Sequence, residues 1–189
     1  ASRRDGRPMR SITAMSVAGD GKKEQLVEGA FDVRPTDWSH EVLLYTSTDP
    51  RTRLDVWALP LSGERKPMPI VQTPFNESDA HLSPDGRWIA YVSDESGRDE
   101  VFVRSFPSTE GTWMVSGNGG TRPRWRNDGR ELYFLSSNGM LMGVAVRAES
   151  LFEVGASQPL FQVPRASDYA VAPDGRFLVQ RGRGRIVVV

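Results

Sequence analysis

Four arginines surround one tryptophan in the middle of the chain: Arg122, Arg124, Arg126 and Arg130 about Trp125. Guanidinium groups are rigid, permanently charged forks that match carboxylates and phosphates bidentately. If the segment is a strand, alternate residues share a face, which puts the first three arginines on one side and Pro123 and Trp125 on the other. Such a row could receive an anionic ligand. The reading favoured is that the row is neutralised by Asp37, Asp79 or Asp168, which stand just before comparable positions elsewhere in the chain.

Other chemistries find less to work with. The two histidines, His40 and His81, have no G-x-S-x-G elbow to serve, so a serine hydrolase centre is not expected within these residues. A kinase centre would need a Gly-rich loop, a V-A-I-K lysine, H-R-D and D-F-G, and none occurs. Gly117-Asn118-Gly119-Gly120 and Gly19-Asp20-Gly21-Lys22 are Gly-rich, but neither opens a helix, so both are read as hairpin turns rather than phosphate cradles. Asp94, Glu95, Asp99 and Glu100 do not match the calcium-loop spacing, and are read as a solvated hairpin loop; no metal site and no cofactor is expected. The RGRGR tract from Arg181 reads as a flexible loop.

The elements that must carry these residues are set by a long repeat. RPTDWSHEVLLYTSTD from Arg34, AHLSPDGRWIAYVSDE from Ala80 and RPRWRNDGRELYFLSSN from Arg122 share one pattern, and anchors Trp38, Leu82, Trp125 and Val171 follow at intervals of 44, 43 and 46 residues. After three anchors comes a turn, Ser83-Pro84-Asp85-Gly86, Arg126-Asn127-Asp128-Gly129 or Ala172-Pro173-Asp174-Gly175, whose residue types close a hairpin. The first copy has two residues fewer there, reading Ser39-His40-Glu41. Next comes a short aromatic and β-branched run such as Trp88-Ile89-Ala90-Tyr91-Val92, a strand buried on both faces, followed by a third strand (Val101-Phe102-Val103) and a weaker fourth (Trp113-Met114-Val115).

Four antiparallel strands in roughly 40 to 45 residues make one propeller blade. The fold expected is therefore all-β, a partial β-propeller of about four blades. The blades are placed at 31–77, 78–119 and 120–166, with the outer strands of a preceding blade at 1–30 and a closing partial blade at 167–189. The absence of an initiator Met favours a fragment of a longer protein.

Composition fits that class. The chain of 189 residues has 18 Gly and 13 Pro, enough for a turn every ten residues or so. Its 24 Lys plus Arg balance 24 Asp plus Glu, so no global field draws in nucleic acid or an anionic membrane. There is no Cys to build a disulfide framework, and no apolar run reaches the ~18 residues of a spanning helix.

The repeats quoted above, with LDVWALPLSGERKPMPIVQTPFNES from Leu54 and RDEVFVRSFPS from Arg98, resemble the TolB-like, WD40-like propeller repeats called PD40. SPDGRWIAY at Ser83 is shared with TolB and with propellers of prolyl-oligopeptidase-type peptidases. The longer string from Arg34 to Pro107 is similar to the propeller following the kinase domain in bacterial serine/threonine kinases of acidobacterial type. That resemblance implies a non-catalytic interaction or ligand-sensing module, extracytoplasmic if the kinase is receptor-like. Its partner would be a protein or a small-molecule ligand on the propeller face, not nucleic acid and not an inserted membrane. Open strand edges would favour self-association. The residues expected at the binding mouth are Asp79, His81, Arg122, Arg124 and Asp168. The alternatives are a gating propeller of a prolyl-oligopeptidase-type enzyme and a free TolB-like periplasmic scaffold.

Overall fold

Apolar residues alternating or running in blocks of four to six, punctuated by Gly and Pro, leave the backbone no option but strands paired through short turns. The computed structural model describes residues 10–16, 18, 20–29, 31–39, 41–108, 110–148, 152–163, 168–181 and 185–188, and among them every regular element is a strand. The chain divides into two compact units, 1–78 and 79–189.

In the first unit, β1 (Arg10–Met15) and β2 (Lys23–Gly29) form an antiparallel hairpin with a bulge between Ile12 and Thr13. A four-stranded antiparallel sheet follows in sequential order: β3 (Val33–Trp38), β4 (Val42–Asp49), β5 (Arg53–Pro60) and β6 (Met68–Val71). Ile12 and Val27 of the hairpin pack with Val33, Leu43, Tyr45 and Leu59 of the sheet, so the hairpin closes one face of it. Each such side chain, fully buried, contributes about 1.5–3 kcal/mol.

The sheet of β7 (Glu77–Leu82), β8 (Trp88–Ser93), β9 (Glu100–Ser105) and β10 (Thr112–Met114) repeats that order. Next come β11 (Gly120–Trp125), β12 (Glu131–Ser136) and the long β13 (Met140–Ala148). The far half of β13 pairs with β14 (Phe152–Val154), and its near half with β15 (Gln158–Gln162). A three-stranded sheet of β16 (Tyr169–Val171), β17 (Phe177–Arg181) and β18 (Arg185–Val188) completes the second unit. The short β14, an extra strand in its sheet, was not expected from the sequence.

Two-residue alternation explains why the second strands carry unbroken apolar runs, such as Leu132–Leu135 of β12. On β12, Leu132 and Phe134 enter one core with Trp88, Val101, Val103 and Val144, while Tyr133 and Leu135 enter another with Leu141, Tyr169, Phe177 and Val179. A strand sandwiched between two cores can afford no polar face. All six residues of β8 are buried for the same reason.

Each of the four anchors is the last residue of the first strand in its sheet: Trp38, Leu82, Trp125 and Val171. The turns after three of them have one geometry. Gly86, Gly129 and Gly175 take φ of 72°, 71° and 86°, and their amides donate to the carbonyls of Ser83, Arg126 and Ala172 at 2.9 Å. In the shorter first copy, Ser39 Oγ accepts from the amides of Glu41 and Val42 at 3.2 and 3.1 Å, closing a tight turn without Asp or Gly. His40 lies outside the described residues, as do 182–184 of the arginine–glycine tract and Gly19 of the β1–β2 turn.

Two segments differ from what the sequence predicts. Gly117–Gly120 is no hairpin: it carries the chain from β10 to β11, the first strand of the next sheet. Asp94, Glu95 and Asp99 lie in the loop before β9, but Glu100 is not solvated. It is the first residue of β9 and 1% exposed, accepting from Ser116 Oγ at 2.5 Å, the Gly119 amide at 2.8 Å and Arg98 Nε at 2.9 Å. A carboxylate can be buried at that depth because each oxygen is supplied with donors.

Candidate functional site

The five residues expected at a binding mouth come together in the second unit, on the first strands β7, β11 and β16. Arg124 is the hub. Its Nη1 donates to His81 Nε2 at 2.6 Å and to the Pro123 carbonyl at 2.7 Å, and lies 3.4 Å from Asp79 Oδ1. Its Nη2 is 3.7 Å from Asp168 Oδ1, and Arg122 Nε reaches the same oxygen at 3.6 Å. Arg122 and Arg124 are thus neutralised by Asp79 and Asp168, two of the three acids expected to pair with them. Asp37, in the first unit, caps its own strand end by accepting from the Trp38 amide at 2.8 Å.

What brings Arg122 and Arg124 to one carboxylate is a bulge. The register of β11 against β12 slips between Thr121 and Arg124, and Arg122 adopts φ of 54°. Asp79 occupies the same place relative to its anchor, three residues before it, and has φ of 53°. Left-handed backbone costs a side-chain-bearing residue about 1–2 kcal/mol, so two such residues at equivalent positions mark a strained rim. In β3 the equivalent residue is Pro35, whose ring forbids positive φ, although the register slips there too, between Pro35 and Asp37.

Arg126 does not join the row. β11 has ended, and the side chain turns back to Asp128 through Nε at 2.8 Å and Nη2 at 2.5 Å, and to Glu131 through Nη1 at 2.6 Å. These bonds to Asp128 first, and the charges of Glu131 and Asp128 as well, hold the guanidinium more strongly protonated than usual; the same bonds hold Asp128 well below the ordinary carboxylate range.

Tyr169, which the sequence did not flag, closes the cluster from β16. Its hydroxyl donates to the Arg122 carbonyl at 2.8 Å, and the Arg124 guanidinium carbon stands 5.9 Å from its ring centre. Burial raises the phenol well above its usual pKa, so it remains a donor. The only signal available beforehand was an aromatic two residues before the fourth anchor. For Asp79, burial raises the carboxyl pKa, but the adjacent His81 imidazole and the Arg124 charge together outweigh burial and leave it lowered. Asp79 is therefore ionised at neutral pH. Two carboxylates, Asp79 and Asp168, thus stand against two guanidiniums, Arg122 and Arg124.

The cluster is graded outward. Arg124 is only 21% exposed at its side chain, whereas Asp168 is 55% exposed and touches both arginines at distances longer than a good hydrogen bond. An incoming oxyanion could displace Asp168 while Asp79 and His81 hold Arg124 in place. The cluster holds no general base beside a nucleophile, and among the described residues no group of three metal-ligating side chains occurs.

No protein-family profile matches this chain, and no curated protein matches it in sequence. Solved structures do match. TolB from Acinetobacter baumannii superposes with a TM-score of 0.71 at 15% identity, over 94% of this chain and 45% of its own. A puromycin-hydrolysing peptidase from Mycobacterium tuberculosis gives 0.61 at 21% identity, over 90% and 32%. The β-propeller domain of the Trilobed protease from Pyrococcus furiosus gives 0.54 at 18%, over 81% and 50%. The fold is that of a β-propeller. Its likeness extends to TolB, of which this chain spans less than half the length.

Proposed function

We propose that the chain is a non-catalytic propeller module for interaction or ligand sensing, which presents the β7, β11 and β16 rim to a carboxylate-bearing protein or small molecule. The observation that carries this reading is the shared Asp168, exposed and loosely held by Arg122 and Arg124 while Arg124 is fixed from behind. A bidentate partner carboxylate would gain stronger bonds than Asp168 makes. On the sequence resemblance, the module belongs to the C-terminal region of a bacterial serine/threonine kinase, on the extracytoplasmic side if that kinase is receptor-like. Likeness to two peptidases supports a second reading, a propeller that gates access to a hydrolase.

Titration of the chain with Asp- and Glu-rich peptides tests the binding reading. Saturable binding that Arg122→Ala and Arg124→Ala each weaken supports it; binding indifferent to both substitutions, or none, rejects it. The coding sequence on either side separates the contexts. Kinase motifs upstream support the sensor, and a G-x-S-x-G elbow downstream supports the gate.

A further inference from the structure

The second unit carries another groove, independent of the rim just described. It encloses about 770 Å³, within the range of small-molecule sites, and runs between the turn after β7 and the turn after β11, with β13 as its third wall. Pro84, Trp88 and Ala145 supply apolar surface, and Arg130 and Arg147 supply charge.

The charge arises from a departure within the repeat. In the turns Asp85-Gly86-Arg87 and Asp174-Gly175-Arg176, the arginine Nε is held by the aspartate of its own turn at 2.8 and 2.7 Å. In the middle turn, Asp128 is already taken by Arg126 through two guanidinium bonds. Arg130 keeps its amide bond to Asp128 Oδ1 at 3.0 Å, but its guanidinium forms no ion pair with any described residue. Arg147 on β13 likewise pairs with none of them. The acids bordering the groove, Asp85 and Asp128, are both neutralised by other arginines.

We propose that this groove binds a small oxyanion, a carboxylate or a phosphate group, between the Arg130 and Arg147 guanidiniums, with the apolar part of the ligand against Pro84 and Ala145. Two guanidinium-bearing residues that line one groove and form no ion pair with a described residue favour a ligand with two anionic groups.

Calorimetric titration of the chain with pyrophosphate and, separately, with citrate tests the proposal and distinguishes the two chemistries. Saturable binding of either probe is expected, weakened at least about tenfold in Arg130→Gln/Arg147→Gln and unchanged in Arg176→Gln. Arg126→Gln should also weaken it, because Asp128 is then free to capture Arg130. Thermal melts of all variants show that each is folded. Failure of both probes to bind, binding that survives the double substitution, or equal loss in Arg176→Gln overturns the proposal.

Discussion

Arg124 Nη1 lies 2.6 Å from His81 Nε2, and both atoms cannot be donors. A guanidinium nitrogen always carries its hydrogens, so Nε2 must accept and the imidazole proton must sit on Nδ1. Long-range proton–nitrogen correlation spectra at neutral pH should therefore show Nε2 of His81 as a bare, pyridine-type nitrogen. A protonated Nε2 would mean that the hub is assembled differently.

Replacing Arg124 should be felt in stability as well as binding. Its guanidinium serves His81, Asp79 and the Pro123 carbonyl from a largely buried position. Arg124→Ala should lower unfolding free energy by about 1–3 kcal/mol in urea titrations. Arg124→Lys should recover little, since a point charge cannot span Asp79 and Asp168 together.

Acid should erase part of that contribution. The Asp79 carboxyl titrates below its ordinary value of 3.8 in the folded chain. Its share of stability is complete above the unfolded value and is lost as pH falls through the folded one. Asp79→Asn should therefore be less stable than the parent at neutral pH, with the gap narrowing below about pH 4. A gap independent of pH in denaturation curves would reject the assignment.

Glu100 should rank among the most sensitive polar positions. It is buried, with Ser116, the Gly119 amide and Arg98 all donating to it. Glu100→Ala strands those donors and should cost about 2–4 kcal/mol in chemical denaturation, whereas Ser116→Ala removes one bond and should cost about 1 kcal/mol.

Two glycines should separate crowding from backbone conformation. A Cβ on Gly120 would stand 2.4 Å from Ser116 Oγ and 2.7 Å from Ser116 Cβ, so Gly120→Ala must displace the residue that satisfies Glu100. Gly86 has open space around it but φ of 72°, and Gly86→Ala should cost only about 1–2 kcal/mol. Melting temperatures of the two variants should fall in that order.

The sequence made the repeat legible because turns are chemically demanding. Asp-Gly after an anchor announces a reversal whatever surrounds it, and the apolar runs that follow are too short for helices. Alternation also brought Arg122 and Arg124 to one side correctly in outcome, yet for a different reason, since the bulge at Arg122 interrupts the simple period. It failed at Arg126, where the strand stops one residue earlier. Glu100 was illegible because its donors Ser116 and Gly119 lie 16 and 19 residues away and its neighbours in sequence are solvated acids. Phe152–Val154 was missed because three residues carry too little pattern to separate a strand from a loop.

The Trp125 indole donates to the His81 carbonyl at 3.1 Å, and the Tyr169 hydroxyl to the Arg122 carbonyl at 2.8 Å, each reaching one repeat back along the chain. A repeat so built carries its own coupling to its predecessor, and the coupling asks of that predecessor only a main-chain oxygen, which every residue has. A gene encoding such units can duplicate one without inventing a matching surface, so the number of blades can change faster than the way they are joined.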